Sequence, residues 1–269
     1  MSVPVPVIEN IVTSFHLGVK EPLDLATLPL RVPMAHFTPN FAAARIALTE
    51  PKTTCLVFAS GKAVCTGAKS AEEAITACGI YVNMLRRFGL DVTFTDFHVH
   101  NIVCRAHCPF RVDLRNLANS DTSFNSYEKG LFPGLSHKAV VPGTDSTITF
   151  LVFVSGGCVI TGGTDEQLML QAWNKFYFED LVRFKCPINY GSSGNYRMSQ
   201  NLFSDPARDW MHQQMVHTSK THSELTGDDM VDMFASVTQE MQITQLILQE
   251  IEELDPANEP TGEFVYQPC

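Results

Sequence analysis

Hydrophobic and polar residues alternate in two short stretches of the chain that closely match each other. LVFASGKAVCTG (56–67) and LVFVSGGCVITG (151–162) are identical at 8 of 12 positions. In each stretch, two runs of alternating side chains flank a Ser-Gly pair, and its glycine, Gly61 or Gly156, can supply the positive φ that a tight turn needs. The pattern predicts two antiparallel β-hairpins, one in each half of the chain.

The repetition extends beyond the hairpins. Upstream of them, ENIV (9–12) matches HNIV (100–103). Downstream, each copy ends in a stretch whose apolar residues have helical spacing, 75–89 in the first copy and 170–184 in the second. These matches predict that the two halves of the chain are copies of one strand-and-helix unit. We divide the chain into repeat 1 (1–91), repeat 2 (92–186) and an acidic, partly helical C-terminal extension (187–269).

The predicted hairpin strands are apolar on both faces. In the first hairpin, Leu56, Phe58 and Val64 point to one face, and Val57 and Cys65 point to the other. One helix in each repeat can cover only one of these faces. We therefore expect a large apolar sheet face to be left over, and such a face normally marks a binding surface.

Several longer strings resemble the TATA-box-binding protein family, over about residues 7–184. The strings are ENIVTSFHLG (9–18), FAAARIALTEPKTTCLVFASGKAVCTGAKS (41–70), TDFHVHNIV (95–103), SYEKGLFPGL (126–135) and LVFVSGGCVITGG (151–163). The resemblance implies an α+β fold, a TBP-like saddle in which two quasi-identical β-sheet/helix repeats form one curved antiparallel sheet of about ten strands with helices on the convex face. It also implies a nuclear general transcription initiation factor without a cofactor, which binds and bends promoter DNA through the minor groove and nucleates pre-initiation complexes.

In this family, two pairs of phenylalanines wedge into the first and last base steps of an A·T-rich site. The matching residues are Phe41 and Phe58 in repeat 1, and Phe132 and Phe153 in repeat 2. Unstacking a base step is costly, so the wedge must be large, stiff and apolar. The alternative is four core aromatic residues. The alternation of Phe58 and Phe153, which share the leftover face, favours wedges.

Smaller residues match the family positions that read base edges. Asn10 and Asn101 match two asparagines that donate hydrogen bonds to the adenine N3 and thymine O2 acceptors. Taken singly, each position could equally be an ordinary strand residue, but their occurrence as symmetric pairs favours DNA contact. The residues that match positions against the base edges are Val12, Val64, Val103, Val159, Leu56, Leu151, Thr66 and Thr161.

The net charge of −10 argues against a nucleic-acid ligand at first sight, because Lys and Arg contacts to phosphates dominate DNA affinity. Most of this charge lies in residues 185–269, which hold 13 acidic and 4 basic residues. Residues 1–184 are nearly neutral, and a nearly neutral body is still poor in positive charge for a DNA-binding protein.

The phosphate-binding rim of the family is only partly retained. Ala47 in repeat 1, and Gly157 and Thr164 in repeat 2, stand where the family has basic residues. Fewer phosphate contacts predict weaker DNA binding with a shallower salt dependence. The matching basic residues that remain are Lys52, Lys62 and Lys69 in repeat 1 and Lys138 in repeat 2.

The resemblance also implies protein partners, namely general transcription factors resembling IIA and IIB or other promoter-complex subunits. Tyr127, Glu128 and Leu131 match the partner-binding loop, whereas Lys129 and Gly130 replace a proline and a glutamate of the family. These departures indicate altered docking of factor IIB. The alternative function is a TBP-related scaffold that acts mainly through protein partners, with weak or no TATA binding.

The extension has no counterpart in the family core. Residues 190–204 have the composition of a linker, and Asp205-Pro206 is typical of a helix start. Two interpretations remain open: the extension packs on the helical face of the body or stays partly exposed, or it competes with DNA for the concave surface. An apolar stripe at helical spacing predicts a long amphipathic acidic helix and comprises Met230, Phe234, Val237, Met241, Leu248 and Ile251.

Other functional classes find little support in the sequence. A zinc site is conceivable where five potential ligands lie close together, but the matching strand of the family binds no metal. TGAKS (66–70) lacks the spacing of a phosphate-binding loop, and catalytic motifs are missing, so we do not expect an enzyme. No apolar run reaches the roughly 18 residues of a membrane span, so we expect a soluble intracellular protein. The five potential zinc ligands named above are His98, His100, Cys104, His107 and Cys108.

Overall fold

Ten strands form one hydrogen-bonded sheet in the computed structural model, which describes residues 2–39, 41–120, 125–128, 132, 134–141 and 147–186. The first elements are β1 (Val7–His16), α1 (Leu28–Arg31), β2 (Ala35–His36), β3 (Ala43–Ala47), β4 (Thr54–Phe58), β5 (Lys62–Ala68), α2 (Ala71–Arg87) and β6 (Thr95–His107). They are followed by β7 (Arg111–Val112), α3 (Leu114–Ala118), β8 (Asn125–Ser126), β9 (Leu135–Val140), β10 (Thr147–Val152), β11 (Gly157–Gly163), α4 (Glu166–Glu179), a 3₁₀ turn (Leu181–Phe184) and β12 (Lys185–Cys186).

The strand order in the sheet is β2-β3-β4-β5-β1-β6-β11-β10-β9-β8, and β7 pairs separately with β12. The order confirms the predicted ten-stranded α+β arrangement of two similar halves. The described residues divide into two compact units, 8–103 (the first unit) and 104–186 together with 2–7 (the second unit). The boundary between the units falls inside β6.

Both predicted hairpins are present. Leu56 pairs with Val64 between β4 and β5, and Leu151 pairs with Val159 between β10 and β11. The turn glycines have φ angles of +85° at Gly61 and +98° at Gly156, which side-chain-bearing residues rarely adopt.

The first unit buries one face of its sheet under α2. The helix begins with Ser70 as its N-cap, where the side chain accepts a hydrogen bond from the Glu73 backbone at 3.1 Å. The Glu73 carboxylate in turn accepts one from the Lys69 backbone, which completes a capping arrangement. Residues at spacings of three and four then face the sheet, as expected for an amphipathic helix. The buried residues of α2 are Ala74, Ala77, Cys78, Tyr81, Val82 and Leu85.

Aromatic stacking holds α4 against the sheet of the second unit. The Phe150 ring of β10 stacks on Phe176 of α4 at 4.5 Å between centroids, and the His137 ring of β9 stacks on Phe176 from 4.4 Å. Burial lowers the pKa of His137, which favours its neutral form. Trp173 is fully buried, and its Nε1 donates a hydrogen bond to the Pro4 carbonyl at 2.7 Å. That bond ties the N-terminal segment to α4.

Several sequence expectations concern residues outside the described parts of the chain. The C-terminal extension (187–269) and the partner-loop residues Lys129, Gly130 and Leu131 belong to this group. In the parts that are described, no helix is both long and apolar enough to cross a membrane. No group of three or more potential His, Cys, Asp or Glu ligands comes together there to hold a metal ion. One of the five potential zinc ligands, His100, lies with its Nε2 2.6 Å from Ser14 Oγ, within hydrogen-bonding distance.

Candidate nucleic-acid interface

The first unit has a second apolar cluster, distinct from the core under α2. Val12, Ala43, Phe58 and Val64 form it, with Phe41 and Leu56 packed against them. Their neighbours in sequence Val57 and Cys65 belong to the core under α2, because successive strand residues point to opposite faces. We call the face turned away from the helix of a unit its distal face. The predicted division of the hairpin residues between two faces is confirmed.

The second unit has an equivalent distal face. Phe150 and Ile160 are register partners, and stacking on α4 turns the Phe150 side chain towards the helix. Leu151 pairs with Val159, and Thr149 with Thr161, at the alternate positions of the same two strands. These four side chains therefore point away from α4.

The two predicted wedge pairs are each assembled within one unit. Phe41 and Phe58 contact the same cluster, and the Phe41 backbone N–H closes a turn on the Thr38 carbonyl at 2.9 Å. In the second unit, the rings of Phe132 and Phe153 meet edge to face at 5.8 Å. A Cβ on Gly134 would lie 2.7 Å from the Phe132 ring, so this glycine makes room for the pair.

A β-bulge fixes the orientation of Asn10. Ile11 pairs with Ala68 and Val12 with Thr66, so Gly67 is the extra residue of β5, with a φ of +108°. The Gly67 N–H, displaced from the ladder, donates to Asn10 Oδ1 at 2.7 Å, and Thr66 Oγ1 donates to the same atom at 3.1 Å. The carboxamide oxygen thus faces the strand, and its NH₂ group is turned away from these two partners.

Gly67→Ala is expected to destabilise the first unit by about 2 kcal/mol or more, because the new Cβ would lie 2.7 Å from the Lys52 carbonyl oxygen at a positive φ. Gly79→Ala is the matched control. Gly79 lies inside α2 with no atom within 4 Å of the added Cβ, so this change should stabilise by roughly 0.5–1 kcal/mol. Urea denaturation of both variants measures the difference. Equal effects of the two changes would contradict the assignment of the bulge.

Asn101 and Val103 of β6, with exposed fractions of 2% and 0%, repeat the residue types of Asn10 and Val12. They occupy the positions that match Asn10 and Val12 in the repeat alignment. All the residues predicted to lie against base edges are in strands, as the sequence pattern predicted.

The retained basic residues lie at more accessible positions. Lys52, Lys69 and Lys138 are exposed, and Lys62 is half-buried. Lys69 Nζ lies 3.4 Å from Glu9 Oε2, so part of its charge is balanced within the protein.

Sequence reasoning overlooked two arginines. Arg45 is exposed and pairs with Leu56, two positions after Ala43, so alternation places it on the distal face of the first unit. Arg105 follows Val103 at the same spacing along β6. Strand alternation alone could have identified both. Arg45 supplies a positive charge near the position where Ala47 lacks one.

The loop predicted to bind partner proteins is described only in part. Tyr127 is half-buried and Glu128 is exposed, and the Glu128 carbonyl accepts a hydrogen bond from the Phe132 backbone at 2.9 Å. Leu131 lies outside the described residues.

The distal faces are apolar, as predicted, and the exposure of their residues is uneven: Phe41, Leu56 and Leu151 are half-buried. Val12, Val64 and Val159 have no exposed area, and Phe58 and Phe153 are 5% and 1% exposed.

Comparison with known proteins identifies similar sequences and folds. The family described as transcription factor TFIID (or TATA-binding protein, TBP) matches residues 5–88 and 96–179. The chain is 41% identical to the TATA-box-binding protein of Saccharomyces cerevisiae over 174 residues, which cover 64% of this chain and 70% of that protein. It is 38% identical to the Caenorhabditis elegans TATA-box-binding protein, over 66% of this chain and 51% of that protein. Among solved structures, Methanococcus jannaschii TBP matches with a TM-score of 0.57 and 32% identity, over 64% of this chain and 96% of that one.

Proposed function

The chain belongs to the TATA-box-binding protein family, and we propose on that basis that it is a general transcription initiation factor that binds and bends A·T-rich promoter DNA. The family consists of DNA-binding transcription factors and is not an enzyme family. We place the protein in the nucleus, with repeats 1–91 and 92–186 forming the DNA-binding body and 187–269 forming an extension.

The observation that supports this proposal best is the retention of a phenylalanine pair in each unit beside an apolar strand face. Phe41 and Phe58 share one cluster, and Phe132 and Phe153 contact each other. Rigid aromatic rings can enter a base step and hold it open, which kinks the duplex and widens its minor groove. Two pairs, one in each repeat, would kink the site at both ends.

The residues between the wedges would select A·T pairs. The carboxamide NH₂ groups of Asn10 and Asn101 are donors suited to the N3 and O2 acceptors that A·T and T·A pairs share. The guanine N2 amino group projects into the same groove and would collide with the Val12, Val64 and Val159 side chains. The site would therefore prefer A·T pairs without distinguishing A·T from T·A.

Phosphate contacts are expected to be few. The candidates are Lys52, Lys62 and Lys138, together with Arg45 and Arg105. Each phosphate contact adds about 0.9 to the slope with which log K falls as log salt rises. We therefore expect a shallow salt dependence, with apolar wedging and base contacts supplying much of the affinity.

A mobility-shift titration of the full chain tests the proposal. We expect a TATA duplex to be bound more tightly than a duplex of equal length in which G·C pairs replace the central A·T pairs. The preference should persist as salt is raised, because it arises from base contacts. Equal binding of the two duplexes, or no binding even at low salt, would contradict the proposal.

Partner proteins follow from the same proposal. General transcription factors resembling IIA and IIB, or other promoter-complex subunits, would dock on the body, with Tyr127, Glu128 and Leu131 at the contact for one of them. The scaffold alternative, with weak or no TATA binding, is not favoured, since the similar proteins are named for TATA-box binding.

A further inference from the structure

Basic residues occupy different positions on two strands that correspond to each other in the repeat. The repeat alignment matches Arg45 of β3 with Ser136 of β9. It also matches Ala47 with Lys138, two positions further along each strand. Each strand therefore carries one Lys or Arg, and this charge is displaced by two residues between the two units.

In the first unit the charge lies next to a wedge residue. Ala43 pairs with Phe58, so Arg45, two residues further along β3, is a diagonal neighbour of Phe58. Diagonal neighbours lie about 7–8 Å apart, which is within reach of a long side chain. Arg45 is exposed, and its register partner on β2 is His36, which is exposed as well. Two basic side chains therefore stand together beside the wedge pair of this unit.

In the second unit serines take the places of this basic pair. Ser136 has Ser126 of β8 as its register partner. A Cβ on Gly134 would lie 3.1 Å from the Phe153 ring, so Gly134 marks the level of that wedge residue just before β9. Lys138 is four residues beyond Gly134, or about 13 Å along the strand. The charge of this strand therefore lies well away from the wedge pair.

We infer that Arg45 binds the phosphate next to the base step that Phe41 and Phe58 open. Lys138 binds a phosphate outside the opened step of its own repeat. This inference rests on the proposed function, and it names the part of the DNA backbone that each charge meets. The guanidinium group suits the position beside the wedges, because its planar fork of donors fits two phosphate oxygens at once.

The two phosphate contacts differ in how they depend on the kink. A wedge that unstacks a base step changes the direction of the backbone there, so a phosphate beside the step reaches Arg45 only after the ring has entered. A distance of about 13 Å corresponds to roughly four nucleotides at about 3.4 Å each, so Lys138 meets duplex that wedging leaves stacked. Arg45 and Phe58 therefore act together, whereas Lys138 and Phe153 act independently.

Double-mutant cycles in the full chain test this difference. Mobility-shift titration measures the affinity for a TATA duplex of Arg45→Ala, Phe58→Ala and their double variant. A second cycle combines Lys138→Ala with Phe153→Ala. Arg87→Ala is the control, because it removes the same charge from an exposed position at the end of α2, which packs on the opposite face of the sheet.

We expect Arg45→Ala to lower the affinity about tenfold in the wild-type background and less than about twofold in the Phe58→Ala background. Lys138→Ala should lower it by one and the same factor with and without Phe153. In the wild-type background, each of these two changes should reduce the slope of log K against log salt by about 0.9. Arg87→Ala should keep the affinity within about twofold of the wild type.

Adding a charge gives a second test that does not depend on the loss of a contact. Ser136→Arg gives the second unit the arrangement of the first, with a guanidinium group as the diagonal neighbour of the wedge level. We expect this change to raise the affinity for the TATA duplex about fivefold while Phe153 is present, and to have no effect in the Phe153→Ala background.

The outcomes separate this inference from the proposed function. Equal losses from Arg45→Ala with and without Phe58 would overturn the inference, because the contact would then be independent of the wedge. An Arg45→Ala variant that binds as tightly as Arg87→Ala would overturn it as well. In both cases a wild type that prefers the TATA duplex leaves the proposed function intact. A wild type without that preference would contradict the proposed function, and this inference with it.

Discussion

Phe58→Ala and Phe153→Ala are each expected to lower the affinity for a TATA duplex by about thirtyfold, or about 2 kcal/mol. A wedge offsets the cost of unstacking one base step, and alanine is too small to fill that step. The double variant should lose more than either single one and should bend the duplex less. Mobility-shift titration gives the affinity, and fluorescence transfer between the ends of the duplex gives the bend.

Matched controls come from the opposite face of the sheet in each unit. Phe15 and Phe150 are 2% and 0% exposed and pack beneath α2 and α4. Their replacement by Ala should cost stability by about 3–5 kcal/mol but leave the affinity of the folded fraction nearly unchanged. If all four variants lost affinity equally at a temperature where each is folded, Phe58 and Phe153 would be core residues and not wedges.

Trp173→Ala is expected to reduce the free energy of unfolding by about 3–5 kcal/mol. The Trp173 ring is fully buried, and it contacts Phe150 at 6.4 Å and Tyr177 at 5.7 Å between centroids. Trp173→Phe keeps most of the apolar contact but loses the hydrogen bond to Pro4, which should cost about 1 kcal/mol from that bond alone. Chemical denaturation of both variants measures the two contributions. Equal losses would show that the hydrogen bond, and not the packing, dominates.

Sequence reasoning predicted the fold because the decisive information was local and occurred twice. The alternation in 56–67 and 151–162 specified both hairpins, and it placed Phe58 and Val64 on one face and Val57 and Cys65 on the other. The apolar spacing in 75–89 predicted α2. In the second repeat the helix ends at Glu179 and a 3₁₀ turn follows, whereas the sequence pattern continued to 184 without a break.

The remaining features depend on contacts between residues far apart in the chain. The bulge at Gly67 joins Asn10 to a strand more than fifty residues away, and no local pattern reveals which carboxamide atom faces that strand. The burial of Val12 and Val159 is likewise invisible to alternation, which assigns a side chain to a face but does not tell how much of that side chain stays in contact with water. Alternation alone assigns Arg45 to its face. The family pattern has its basic residue at the position of Ala47, so matching to that pattern does not reveal Arg45.

The hydrogen bonds at the bulge orient the Asn10 carboxamide when the protein folds, so in the proposed complex it would need no reorientation on meeting DNA. A flexible amide would lose rotational entropy on binding and could present either its donor or its acceptor end to the groove. Here the backbone N–H of Gly67 and the hydroxyl of Thr66 occupy the acceptor end in advance. In the proposed complex, these two bonds would also set the polarity that the minor groove encounters, so errors in folding at this bulge would become errors in sequence recognition.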